Sequence, residues 1–343
     1  MPGPCAFWQA QPGARRTPKL WVLIGKVKAK LVGNGAGAPP AKLAEVALVA
    51  ARAAKRYPLG LLARSPEHGA LQAKEEFTAG WSASAHAVSW LGHCTVLLKV
   101  HGQTILTDPV WSRRIGLSVA GRTIGISRLH PPPVSIEALP AIDLVLLSHA
   151  HFDHLDLPTL RHLLRVGGKA PPRVITAANT AGLIPKGFAQ VDELGCKKSI
   201  QVGDLLLRAI EPKHWGARAG WDRHRGFNSY LLGHAGGDGP RVLFAGDTAM
   251  TGAYDHLGAN GVDLAIMGIG AYDPWVRAHA TPEQVWQMSA AMRARRVLPV
   301  HFGTFKLSDE PPDEPMARLL AAAGSDHPRI LGPALGHVHQ LPG

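Results

Sequence analysis

Residues Ile142 to Leu160, IDLVLLSHAHFDHLDLPTL, constrain this chain more than any other stretch. The branched apolar run from Ile142 to Leu147 does not alternate with polar residues, so it predicts a strand buried on both faces. Within nine residues after Leu147 come His149, His151, Asp153, His154 and Asp156. Pro158 then suits the first turn of a helix, with Asp156 as its candidate cap. Positions two apart at a strand end point the same way, so His149 and His151 can converge on one ion, and the following turn swings Asp153 and His154 toward a second. Neutral imidazole and carboxylate suit zinc, or iron or manganese where supply dictates. Abundance alone does not explain the cluster, because the chain's 18 histidines would have to fall into HxHxDH spacing at a strand end by chance.

Downstream, the same pattern of strands ending in donors recurs. HAVSWL, TVLLKV and QTILTD read as successive strands from residue 86, with His101-Gly102 as the hairpin between the last two. The third ends in Asp108-Pro109, where a carboxylate is placed to accept a ring N–H from a metal-bound histidine and fix its tautomer. After the helix come RVITA (173–177) and SIQV (199–202), then DLLLRAIEPKH (204–214), a long strand that delivers His214 at its end beside Trp215. FNSYLLG (227–233) and RVLFAGD (241–247) follow, the second ending in Asp247, and then VDLAIMGIG (262–270). Thr281-Pro282-Glu283-Gln284 reads as a capping box that opens a helix to about Arg295, and VLPVH carries His301 at its tip. If these strands are neighbours in a sheet, the donors meet at one edge, in a cleft lined by loops.

Composition matters chiefly at the N-terminus. Met1 to Gly80 holds twelve Lys plus Arg against four acids, +8 of the formal +12, and reads as a basic, partly helical extension (1–80) ahead of a domain at 81–343. Residues 19–32 set Leu20, Ile24, Val27 and Leu31 at helical spacing, with Lys26, Lys28 and Lys30 largely off that face. Such a segment can lie on an anionic bilayer or pack on the domain. Gly33 to Pro40 is a linker-like break, and Ala41 to Arg56 a second helical stretch. No apolar run approaches a membrane span and the start lacks a secretory h-region, so the expected location is cytoplasmic, peripheral at the membrane if the basic segment docks there. Cys5, Cys94 and Cys196 are too scattered for a disulfide framework or a CxxC site and are expected to be unpaired and non-catalytic.

From about Trp81 to Gly343 the sequence resembles the metallo-β-lactamase superfamily. WLGHCTVLL, TILTDPVWS, SHAHFDHLD, FAGDTAM, GIGAYDPW and HFGTF are similar, more narrowly, to the N-acylphosphatidylethanolamine-hydrolysing phospholipase D group and its bacterial relatives. The resemblance implies an α/β fold, a four-layer αββα sandwich with metals at one edge. It implies one zinc ion on His149, His151 and His214, another on Asp153, His154 and His301, and Asp247 bridging them. His151 stands where oxygen-reducing diiron relatives carry Glu, and Asp247 where common β-lactamases carry Cys, so the resemblance favours hydrolysis of a substrate other than an antibiotic.

By this resemblance, two metals ~3.5–4 Å apart would let a shared water ionise near neutral pH and attack phosphorus, and the same ions would polarise the electrophile. His279, just ahead of the capping box, is expected to contact a phosphate or move a proton there. His93 and Tyr272 lie in family-like motifs, and the sequence alone assigns neither a role. The expected substrate is a phospholipid or another small molecule. Alternatives are a lactone, ester or thioester hydrolase using the same site, and a non-enzymatic nucleic-acid-binding protein. The last is disfavoured by the complete donor set and by the lack of a basic run interleaved with aromatics near it.

Overall fold

The computed structural model describes residues 74–119, 122–167, 170–219, 221–332 and 334–342. The expectations for residues 19–32, 33–40 and 41–56, and most of the 1–80 extension, lie outside these. Two sheets form the frame. In the first, β1 (Ala87–Gly92), β2 (Thr95–Val100) and β3 (Gln103–Thr107) pair antiparallel. β3 then runs parallel to β6 (Leu144–Leu146), β6 to β7 (Arg173–Ala177) and β7 to β8 (Gln190–Leu194), while β15 (Val338–Gln340) closes the other edge against β1. In the second, β9 (Ser199–Val202), β10 (Leu205–Ile210), β11 (Ser229–His234) and β12 (Val242–Phe244) pair antiparallel. β13 (Val262–Gly268) and β14 (Ala294–Val300) continue it in parallel. β4 (Arg114–Val119) and β5 (Arg122–Ser127) form a separate hairpin.

Period-two geometry explains why these strands read as unbroken apolar runs. Along β2, Val96, Leu98 and Val100 enter the core between the sheets, where they meet Leu207, Leu232 and Phe244. Leu97, between them, faces outward with Leu106, Val145 and Val174 and is covered by α1 (Lys74–Ser82) and α2 (Leu157–Val166). The second sheet does the same: Leu243, Ala265 and Met267 pack under α3 (Pro282–Ala291) and α4 (Glu314–Ala323). Helices therefore cover both outer faces, giving the four-layer αββα sandwich. Phe77 of α1 is 1% exposed, and burying such a ring is worth roughly 1.5–3 kcal/mol, so this folded body takes in residues ahead of Trp81.

The His101-Gly102 turn has positive φ at both residues, 49° and 72°, as a two-residue hairpin of the primed type requires. The capping box at Thr281 and Gln284 forms, and its helix ends at Ala291, earlier than the expected Arg295. Other boundaries also differ. β10 stops at Ile210, so His214 sits on the loop beyond; Pro212 lacks the N–H that would extend the ladder. β12 ends three residues before Asp247, and the strand read over 142–147 is regular only over Leu144–Leu146. Asp156 flanks α2 but makes no side-chain bond to its backbone. Its Oδ2 instead accepts from the Thr159 and Ser112 hydroxyls at 2.5 and 2.6 Å.

Candidate metal centre

The loops that leave the carboxyl ends of β3, β6, β12 and β14 converge at one edge of the sandwich, joined by the loop after β10. On one side His149 Nε2 lies 2.8 Å from His151 Nδ1, which is 3.4 Å from His214 Nε2. Hydrogen bonds on the far ring atoms orient two of these rings. His214 Nδ1 donates to Ala278 O at 3.1 Å, leaving Nε2 as the free lone pair. His149 Nδ1 lies 2.9 Å from Ser148 Oγ, which donates its own proton to Asp108 Oδ2 at 2.5 Å and so accepts from the imidazole.

On the other side, Asp153 Oδ2 is 3.5 Å from both His154 Nε2 and His301 Nε2. His154 Nδ1 donates to Asp108 Oδ2 at 2.6 Å, the histidine–carboxylate pairing read from the sequence. Asp108 thus orients His154 directly and His149 through Ser148. Asp247 stands between the groups: its Oδ2 is 3.8 Å from His149 Nε2, 3.6 Å from His214 Nε2 and 3.1 Å from His154 Nε2, and its Oδ1 is 3.2 Å from His301 Nε2. Gly246 makes this approach feasible, since its φ is +58° and a Cβ there would lie 2.8 Å from Ser148 Cβ. His279 Nδ1 is 3.8 Å from Asp247 Oδ2, at the partly open rim. All nine residues singled out in the sequence therefore meet here.

The donors fit a cation. His154 Nε2, His301 Nε2 and Asp247 Oδ1 are buried with no aligned hydrogen bond among the described residues, and the two nitrogens face the Asp247 carboxylate at 3.1 and 3.2 Å, a set of lone pairs that a shared cation would satisfy. Charge divides the centre. Burial, helped by the neighbouring rings, holds His149 and His214 well below the usual imidazole range, and burial takes His151 and His279 down to about 4. These rings are neutral and ready to ligate. Burial also opposes charge on His154 and His301, yet the Asp247 and Asp153 carboxylates raise His154 well above its ordinary value and His301 to about 9. Reciprocally, despite burial, His154 and His301 hold Asp247 and Asp153 well below the usual carboxylate range.

Three residues without a role in the sequence reading support the centre. His93 Nε2 is 2.9 Å from Asp153 Oδ2. Ser148 forms the relay just described. Arg218 Nη1 donates to Ala150 O at 2.9 Å and Leu155 O at 2.7 Å, and its guanidinium covers the Phe152 ring at 4.0 Å, which clamps the donor loop from both ends. Cys94, fully buried, has its Sγ within 4.8 Å of donor atoms of His154, Asp247 and His301. Tyr272 lies away from these donors in its own contacts: its hydroxyl donates to Glu314 at 2.7 Å.

A beta-lactamase superfamily domain matches residues 103–302. An uncharacterized protein of Mycobacterium tuberculosis is 38% identical over 264 residues, covering 74% of this chain and 68% of that protein. The N-acyl-phosphatidylethanolamine-hydrolyzing phospholipase D 1 of Caenorhabditis elegans is 29% identical over 241 residues, 66% of each chain. A UPF0173 metal-dependent hydrolase of Anaeromyxobacter sp. is 30% identical over 264 residues, covering 72% of this chain and 84% of its own. Among solved structures, the isothiocyanate hydrolase from Delia radicum gut bacteria shares the fold with a TM-score of 0.58 at 19% identity, covering 74% of this chain and 98% of that one.

Proposed function

The chain belongs to the beta-lactamase superfamily and is a metal-dependent hydrolase, and from that premise we propose that it is a dinuclear zinc phosphodiesterase of the phospholipase D type, acting on N-acylphosphatidylethanolamine-like lipids. The observation that carries the two-ion part is Asp247, whose one carboxylate lies within 3.8 Å of donors from both three-residue sets. Divalent ions held there by His149, His151, His214, Asp153, His154, His301 and Asp247 would supply Lewis acidity and lower the pKa of water toward neutrality. The donor set of five imidazoles and two carboxylates suits zinc.

Two features support the lipid phosphodiester. One is the phospholipase D among the relatives. The other is the apolar rim: Trp215, 48% exposed, lies against the rings of His214 and His151, and Trp275, 43% exposed, belongs to the turn that carries His279. An acyl or glyceride portion of the substrate covers these indoles. His279, neutral and at the rim, donates a hydrogen bond to a phosphoryl oxygen where charge accumulates. The basic segment 1–80 docks the enzyme on an anionic membrane. Among the described residues no helix is long and apolar enough to cross one.

The test is a substrate panel on the zinc-loaded full chain: vesicles containing an N-acylated phosphatidylethanolamine, a lactone and a thioester. Release of an N-acylethanolamine and a phosphatidic acid supports the reading. Turnover of the lactone or thioester with the lipid untouched moves the activity to carbonyl hydrolysis.

A further inference from the structure

His93 occupies the turn between β1 and β2 in a conformation that side chains other than glycine seldom adopt, φ 53°, and three bonds hold its backbone there. Its N–H donates to Thr304 Oγ1 at 2.7 Å, while its carbonyl accepts from Trp90 Nε1 at 2.7 Å and from His301 N at 3.1 Å. The ring is 1% exposed and packed between His301, His154 and Phe305, with centroids 4.2, 5.3 and 5.3 Å away. Little freedom remains to it.

The remaining polar contact is specific. Asp153 Oδ2 keeps 3.5 Å from both His154 Nε2 and His301 Nε2, but only 2.9 Å separates it from His93 Nε2. That is the length of an N–H···O bond to a carboxylate, which can only accept. His93 Nδ1 is buried with no partner among the described residues, so the ring proton sits on Nε2, where an acceptor waits. His93 therefore touches all three donors of one half, Asp153 and His154 through its ring and His301 through both its ring and its carbonyl. No ring contact joins it to His149, His151 or His214.

We propose that His93 is a positioning residue that sets the metal affinity of the Asp153, His154 and His301 half alone, an inference that rests on the two-ion reading. The experiment compares wild type with His93→Ala and His93→Gln, reading the number of zinc ions retained and the affinity for each by chelator competition, with circular dichroism as the check on folding. In His93→Ala one ion keeps its wild-type affinity and the other binds about 10–100-fold more weakly, the usual effect of removing a partner that orients a ligand. His93→Gln, whose amide N–H reaches the same carboxylate, recovers most of the loss. Unchanged affinity for both ions, equal weakening of both, or a Gln variant no better than Ala overturns the proposal. Failure of both variants to fold overturns it too, because the role would then be fold-wide. A wild type that binds a single ion overturns the two-ion reading first and this inference with it.

Discussion

Replacing Asp108 by Asn separates a group that orients ligands from the ligands themselves. Both carboxylate oxygens are acceptors: Oδ1 takes the Ser148 N–H at 2.7 Å, and Oδ2 takes His154 Nδ1 at 2.6 Å and the Ser148 hydroxyl at 2.5 Å. An amide has one acceptor, so either way round it sets its NH2 against an N–H. If its oxygen stays with Ser148, His154 loses the acceptor for its Nδ1 proton, and the neutral ring a metal needs then keeps its one proton on Nε2, the atom 3.1 Å from Asp247 Oδ2. A proton there blocks ligation. The bond lost is charge-assisted, worth about 1.5–3 kcal/mol, which at 1.4 kcal/mol per tenfold is roughly 10–150-fold in affinity. Metal binding at the Asp153, His154 and His301 half is thus expected to fall about 10–100-fold, in line with other partners of metal ligands. The other half, reached only through Ser148 and His149, should change less. Chelator competition on the folded variant measures both. Unchanged affinities, or a loss as large as that of Asp247→Asn, would refute the reasoning.

Asp247→Asn should leave the fold intact and lower turnover by several orders of magnitude, because an amide is a poor bridge between two donor sets; near-normal turnover would refute the shared-carboxylate assignment. Loading the metal-free protein at pH 7 should release about two protons, from His154 and His301, which their carboxylates hold protonated, while the neutral His149, His151 and His214 release none. Affinity for the first of these halves should therefore rise with pH up to about 9, as His301 loses its proton, and calorimetry in buffers of different ionisation enthalpy reads the count. Truncation ahead of Lys74, which spares the buried Phe77, should weaken turnover on anionic vesicles and leave a water-soluble phosphodiester unaffected, and docking of the full chain should weaken as salt rises. Equal turnover on both substrates would make the segment a solubilising or structural extension.

The donors were legible because their signals are local: HxHxDH is a spacing, and His301 closes an apolar run. Asp108 carried its own cue, a carboxylate before proline at a strand end. His93 and Arg218 were not legible, because their partners lie 60 and 63–68 residues away and no periodicity links them. The β4 and β5 hairpin is not legible either, although Ile115 and Leu117 alternate as a strand's residues do, because Gly116 and Gly125, opposite each other in register, interrupt the pattern. β15 is three residues long and exists only as a partner of β1, so its own sequence says little. Ends of elements moved where proline or a tight turn intervened, as Pro212 did before His214.

Each half of the centre draws two donors from the first sheet's loops and its third from the second sheet's: His214 for one, His301 for the other. Synthesis proceeds from the N-terminus, so the ribosome releases these donors in a fixed order. A nascent chain that has emerged through Asp247 already owns every donor of the first set, while the second waits for the last parallel strand. The two halves of one catalytic edge are therefore born at different times, and the earlier is complete as a list of residues before the sheet that must hold it rigid has gained its outer strand.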